Sequence, residues 1–312
     1  MKVNWETIIP KKSDNHTNEW ADYMEICCLM KRDIVSGDDI LDVILDSYLV
    51  EQDLDKHDEL DLPKSERYMS LIADVFSIIN YRSERVGELY PFVIKDGCLE
   101  IKADFNIYGS IYVFLLCASC THQVSHISEM TDKFEILCGQ LIKRISFMGA
   151  DFIPIGTSGN VKTRSVFDKI QLLSEELNSN LTNSFQDSAR YKSPSGGDGG
   201  VDLVAVRKFN DGFSYLPLMF CQCTCSRDKW IEKQNEITYD TWTRRLSNLP
   251  RYVEIMWLPF SVCRADGMPE NPSNIKTCLM DRFRIIDVYK EKQEEVLTDD
   301  INELIRRELM AE

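Results

Sequence analysis

The side chains with chemistry in them gather in one stretch, Ser195-Gly196-Gly197-Asp198-Gly199-Gly200-Val201-Asp202, and in its answer about twenty residues later, Cys221-Gln222-Cys223-Thr224-Cys225. The first delivers a carboxylate and the second an amide, each on an apolar run of strand length. Successive side chains of a strand face opposite sides of a sheet, so Asp202, Val204 and Val206 share one face. On the second run Cys221, Cys223 and Cys225 fall on one face and leave Gln222 and Thr224 on the other. The three cysteines read as small buried apolar residues rather than metal ligands. Acid and amide are then the groups that face a site.

Those groups need elements to position them. The glycines leave almost no side chain between Ser195 and Val201, so the backbone can turn tightly and set Asp202 at the mouth of its strand. Residues 208–217, with Asn210-Asp211-Gly212, form a turn-rich return, and 218–225 pairs back as the second strand. Upstream, 165–177 has helical spacing, with Val166, Phe167, Ile170, Leu173 and Leu177 as its apolar stripe. An earlier helix, 132–147, carries Phe134-Glu135.

An Asp opening a strand, a hairpin-like return, and Glu or Gln, any residue, Lys on the next strand resemble the signature of the PD-(D/E)XK nuclease superfamily. Gly196-Gly197-Asp198-Gly199-Gly200-Val201-Asp202 is most similar to the Mrr-type restriction endonucleases, and the likeness covers roughly 131–260. It implies an α+β fold with a restriction-endonuclease-like mixed central sheet flanked by helices, in the order helix, three strands, helix, strand. It also implies Mg²⁺ or Mn²⁺ held by Asp202 and Gln222. Phosphodiester hydrolysis needs a metal-bound water and stabilisation of charge in the transition state, and a lysine beside the metal orients the water and adds positive charge. This chain has Thr224 at the lysine's place. In the superfamily that lysine migrates onto the following helix, where Lys229 and Lys233 stand. Lys233 is preferred, because Trp230 one helical turn away can anchor it. A third acid comes from a helix ahead of the strands: Asp168 beside Phe167 is the first candidate for the metal shell, with Glu135 and Glu176 in reserve. Gly199, Gly200, Arg244 and Arg245 are candidates for contact with substrate.

Composition bounds the remaining questions. The 312 residues and 44% hydrophobic content support a sizeable core and two domains. The division expected is a mainly helical recognition or partner domain at 1–130, a nuclease-like domain at 131–265, and a C-terminal loop and helix at 266–312 packing on the nuclease core. Eleven cysteines with no export signal read as reduced thiols of a cytoplasmic protein. No apolar stretch reaches membrane-spanning length. A net charge of −15 opposes broad unaided contact with nucleic acid, which draws on Lys and Arg. A partner protein supplying DNA affinity or activation is therefore expected.

In the first domain, 19–31, 38–50 and 63–81 read as helices, Lys95-Asp96-Gly97-Cys98 as a turn between short strands, and 111–120 as a buried helix. Cys117 and Cys120 near His122 and His126 have spacing compatible with zinc, but no second cysteine pair lies near and core packing is the preferred reading. Beyond the second strand, 236–249 reads as a helix, 253–260 as a fourth core strand, and 298–309 as a capped amphipathic helix.

The function expected from the resemblance is a metal-dependent endonuclease of a prokaryotic anti-phage or restriction system, with DNA as substrate and RNA left open. The alternative is a catalytically inactive nuclease-like subunit acting in binding or assembly, to which Thr224 and Gln222 point.

Overall fold

The computed structural model describes residues 17–31, 34–49, 64–120, 126–146, 149–156, 165–192, 199–209, 211–291 and 299–309. The chain divides into two units, one made of 1–125, 261–270 and 299–312, the other of 126–260 and 271–298. The C-terminal segment is thus divided rather than wholly joined to the second unit. Helix Asp299–Leu309 turns Ile301, Leu304 and Ile305 inward and belongs with the first unit.

In the first unit, α1 (Thr17–Lys31) is followed by β1 (Val35–Ser36), α2 (Gly37–Leu49) and α3 (Lys64–Val86). After them come β2 (Phe92–Lys95), β3 (Cys98–Ile101) and α4 (Ile111–Ser119). The three strands form an antiparallel sheet in the order β1-β3-β2. Asp96 and Gly97 turn β2 into β3 with φ of 51° and 77°, the left-handed pair that a two-residue hairpin needs. Ser110 caps α4 by accepting from the Val113 N–H, and all nine residues of that helix are buried.

The core of this unit is not purely apolar. Arg82, fully buried, lies 2.7 Å from Asp22 and 2.9 Å from Glu25. The Tyr90 and Tyr112 hydroxyls donate to Glu25 at 2.7 and 2.9 Å, and Ser119 donates to Asp22 at 2.8 Å. Burial is the largest of the causes that push the Tyr90 phenol up, ahead of the charge of Glu25. Cys117 and Cys120 are buried here, His122 lies outside the described residues, and among those residues no group of three metal-binding side chains occurs. No helix among them is long and apolar enough to cross a membrane.

The second unit is built on a five-stranded mixed sheet, which makes the architecture mixed α/β. Its elements begin with α5 (Ile127–Ile145), β4 (Asp151–Pro154), α6 (Val166–Glu176), β5 (Asn180–Leu181) and α7 (Asn183–Gln186). They continue with β6 (Leu203–Val206), β7 (Leu218–Cys223), α8 (Trp230–Lys233), α9 (Tyr239–Trp242), β8 (Leu246–Ser247), β9 (Val253–Trp257), β10 (Cys278–Met280) and α10 (Arg282–Lys290). The sheet order is β10-β9-β7-β6-β4, with β4, β6 and β7 antiparallel and β7, β9 and β10 parallel. Central β7 is buried along its whole length, which explains a sequence that is apolar except for Gln222. On one face Gly139 of α5 lets the helix approach Phe152 and Leu203. On the other, Ile170 and Leu173 of α6 join Val204, Val206, Leu218, Phe220 and Trp242 in one cluster.

The single helix expected over 236–249 is a chain of tight turns instead. Thr238 is extended (φ −65°, ψ 147°) between a 3₁₀ turn at Gln234–Ile237 and α9, and 246–247 pairs with β5 as a strand. Trp242 still reaches the core, edge-on to Phe220 at 4.9 Å, with its indole N–H on the Glu236 carbonyl.

Candidate functional site

Asp202 sits just before β6 and is 2% exposed. Its backbone is held on three sides: its N–H donates to the Cys221 carbonyl at 2.9 Å, and its carbonyl accepts from Ile155 and Gly156 at 2.8 and 3.0 Å. Its Oδ2 accepts from the Cys223 N–H at 2.6 Å. The carboxylate is therefore fixed by the end of β7, and Oδ1 is the oxygen turned elsewhere.

Gly156, which ends the segment after β4, shows where. A methyl at this glycine would lie 2.9 Å from Asp202 Oδ1 and also 2.9 Å from Glu135 Oε2. Two buried carboxylates from distant parts of the chain thus converge on one backbone position, their oxygens no further apart than twice that distance. Lys169, fully buried on α6, donates from Nζ to the Gly156 carbonyl at 3.3 Å. Two acids and an ammonium are consequently arranged around a residue with no side chain.

Gln222 completes the set. It lies between the two residues that hold Asp202, Cys221 through its carbonyl and Cys223 through its N–H, and alternation puts its side chain on the face of Phe220 and Leu218. It is fully buried, and neither its Oε1 nor its Nε2 has a hydrogen-bond partner among the described residues. Such an amide costs about 1–3 kcal/mol unless a group beyond the described residues satisfies it.

The remaining residues singled out in the sequence fall elsewhere. Asp168 is exposed, accepting from Ser165 Oγ at 2.7 Å while its own N–H is capped by the same hydroxyl at 3.1 Å. Glu176 is exposed and paired with Lys208. Of the three upstream acids it is Glu135 that the fold brings to Asp202. Lys229 is exposed, and Lys233 is half-buried, where its charge bears on Cys225. Thr224 is buried, and its Oγ1 accepts from the Ser226 N–H at 3.2 Å.

Gly199 and Gly200 have φ of 73° and 82°, and a methyl at Gly200 would strike Glu236 Cβ at 2.7 Å, so both the turn and the close approach require glycine. Arg245 donates to the Gly199 carbonyl and so braces that turn, while Arg244 is exposed. Asp198 lies outside the described residues. Behind the acids, burial pushes the Cys138, Cys221, Cys223 and Cys225 thiols up, so all four stay neutral.

Lys169 is the residue that the reading of motifs passed over. Its signal is in the sequence all the same: it lies between Val166 and Leu173 on the apolar stripe of α6, where a lysine has no business unless it serves something inside.

No family model, curated protein or solved structure matches this chain.

Proposed function

We propose that the second unit is the catalytic part of a metal-dependent endonuclease acting on DNA. The observation that carries the reading is the convergence of Asp202 and Glu135 on Gly156, with Lys169 bonded to the same residue. The order α5, β4, β6, β7, the turns of 230–242, and β9 supports it, with α6, β5 and α7 as an insertion between the first two strands. The donor set fits Mg²⁺ or Mn²⁺, because two carboxylate oxygens and an unsatisfied amide oxygen are hard ligands.

A bound divalent ion would supply positive charge to the phosphate and acidify a water. The chain's own residues do the rest. The Cys223 N–H holds Asp202 in one orientation through Oδ2, and Oδ1, on the side of Glu135, would be the oxygen given to the ion. Gln222 would hold the ion, or a water on it, with its amide. Lys169 supplies the fixed positive charge for which Thr224 is no substitute, and it replaces Lys233 and Lys229 as our assignment for that role. With a net charge of −15, the protein works with a partner that brings it to DNA.

The test is cleavage of supercoiled plasmid with Mg²⁺ or Mn²⁺, alone and with proteins encoded beside it. Metal-dependent nicking is expected, falling at least about 10²-fold in Asp202→Asn, Glu135→Gln and Lys169→Met and little changed in Lys229→Ala. Absence of cleavage together with absence of Mn²⁺ binding by calorimetry would transfer the assignment to a nuclease-like assembly subunit. The observation favouring that second reading is the purely structural use of Thr224.

A further inference from the structure

Beside the glycine turn, the inserted segment builds an aromatic stack ringed by cations. Phe167 stacks on Phe185 with ring centres 5.7 Å apart, and Phe185 on Tyr191 at 4.8 Å. Lys192 lies 5.3 Å over Phe167, while Arg190 and Arg245 lie 5.9 and 5.8 Å from the centre of Tyr191. Arg244 and Arg245 share with Tyr191 the wall of a pocket of about 260 Å³ that Ser184, Ser188 and Thr241 also line.

Three of the four cations of this rim are not taken up by acids among the described residues. Among the described residues, Arg190, Lys192 and Arg244 form no ion pair, although the chain carries 51 acidic residues against 36 basic ones. The backbone of Arg244 is held by Thr182, whose Oγ1 donates to its carbonyl at 2.6 Å, and the Arg190 and Lys192 cations lie over the rings of Tyr191 and Phe167. Three cations without an acidic partner among the described residues, gathered on one rim of an acidic protein, favour an anion from outside.

We propose that this rim binds consecutive phosphates of a DNA backbone and feeds the strand to Asp202, an inference that rests on the nuclease reading and deepens it. Arginine forks with surrounding hydroxyls suit phosphate oxygens. The rings are already covered by cations, so the contact reads charge and not bases. Reach is consistent. Arg245 grips the Gly199 carbonyl, and Gly199 is three residues from Asp202. That span is at most roughly 10 Å, equal to about three nucleotide steps at 3.4 Å each.

The experiment is fluorescence anisotropy of a labelled DNA duplex with Asp202→Asn protein in Ca²⁺, so that binding is read without cleavage. Micromolar affinity is expected at low salt. Arg190→Ala/Arg244→Ala should weaken it at least about tenfold and reduce the slope of log K against log salt by roughly two. Arg244→Lys should retain the slope, and Arg251→Ala should bind like its parent. Unchanged affinity and slope in the double variant, or no binding by the parent at low salt, overturns the proposal. A double variant defective in binding, in a protein that never cleaves, would leave the phosphate rim standing and remove the nuclease reading. Normal binding in a protein that cleaves would do the reverse.

Discussion

Gly156→Ala isolates the geometry of the site in one methyl group. The φ of Gly156 lies outside the left-handed range, so alanine meets no backbone strain there, and the effect of the change is steric. The new carbon would sit 2.9 Å from Asp202 Oδ1, 2.9 Å from Glu135 Oε2 and 3.3 Å from Asp202 Cα, where ordinary contacts begin near 3.4 Å. Asp202 cannot retreat, since its N–H, its carbonyl and its Oδ2 are all hydrogen-bonded. Glu135 must therefore give way by about half an ångström or more. Overpacking of this kind costs ~1–3 kcal/mol, or ~2–4 °C of melting temperature per kcal/mol for a unit of this size. The sharper readout is metal. At 100 times its Kd an ion stabilises the native protein by ~2.7 kcal/mol, which raises the melting point of the parent by about 5–10 °C. Gly156→Ala should melt lower without metal and lose most of that rise when Mn²⁺ is added. Gly97→Ala, with φ of 77° and nothing within 4 Å of the new methyl, supplies the control for simple destabilisation and should keep the metal response. A Gly156→Ala protein that melts like the parent and responds fully to Mn²⁺ would refute the claim that Asp202 and Glu135 bound one cation site.

Three further outcomes follow from the structure. The Cys138, Cys221, Cys223 and Cys225 thiols are held above their ordinary value of 9.0 by burial, so their contribution is fully present below pH 9 and is lost as pH rises toward the folded values. Unfolding free energies from denaturant titration should fall above pH 9 by ~1.4 kcal/mol per pH unit for each thiol, and Cys221→Ala should remove one thiol's share; an unchanged slope would count against it. In the first unit, Arg82→Leu should cost ~3–5 kcal/mol by leaving Asp22 and Glu25 buried without their cation, and adding Asp22→Asn with Glu25→Gln should recover much of it, as urea titration would show. Finally, Ser165→Ala removes the cap that accepts from the Asp168 N–H and should cost ~0.5–2 kcal/mol. Because the capped helix carries Lys169, cleavage should fall with it, and Ser165→Thr should restore both.

Local features of this protein could be read without coordinates. Alternating side chains put Gln222 opposite the cysteines, glycines took positive φ at 199 and 200 because only they do so cheaply, and the apolar stretch at 111–119 became a buried helix behind its serine cap. Each depends on residues within a turn or two of one another. The short strand Asp151–Pro154 escaped notice because its four residues carry no alternation long enough to read, and the helical period over 239–249 proved to be ring anchors on successive turns. What tertiary structure alone decided is the membership of the site. Asp168 and Lys169 are neighbours on one helix, about 100° apart, and the docking of α6 sends one to solvent and the other to Gly156. Glu135 is 67 residues before Asp202, and although Phe134 beside it made it a reserve candidate, nothing local ranked it above Asp168 or Glu176. Its place comes from α5 packing on the sheet through Gly139, a long-range choice made by apolar contacts. Sequence patterns report the conformational preferences of nearby residues, whereas the meeting of two acids and a lysine depends on how whole elements bury their surfaces against one another.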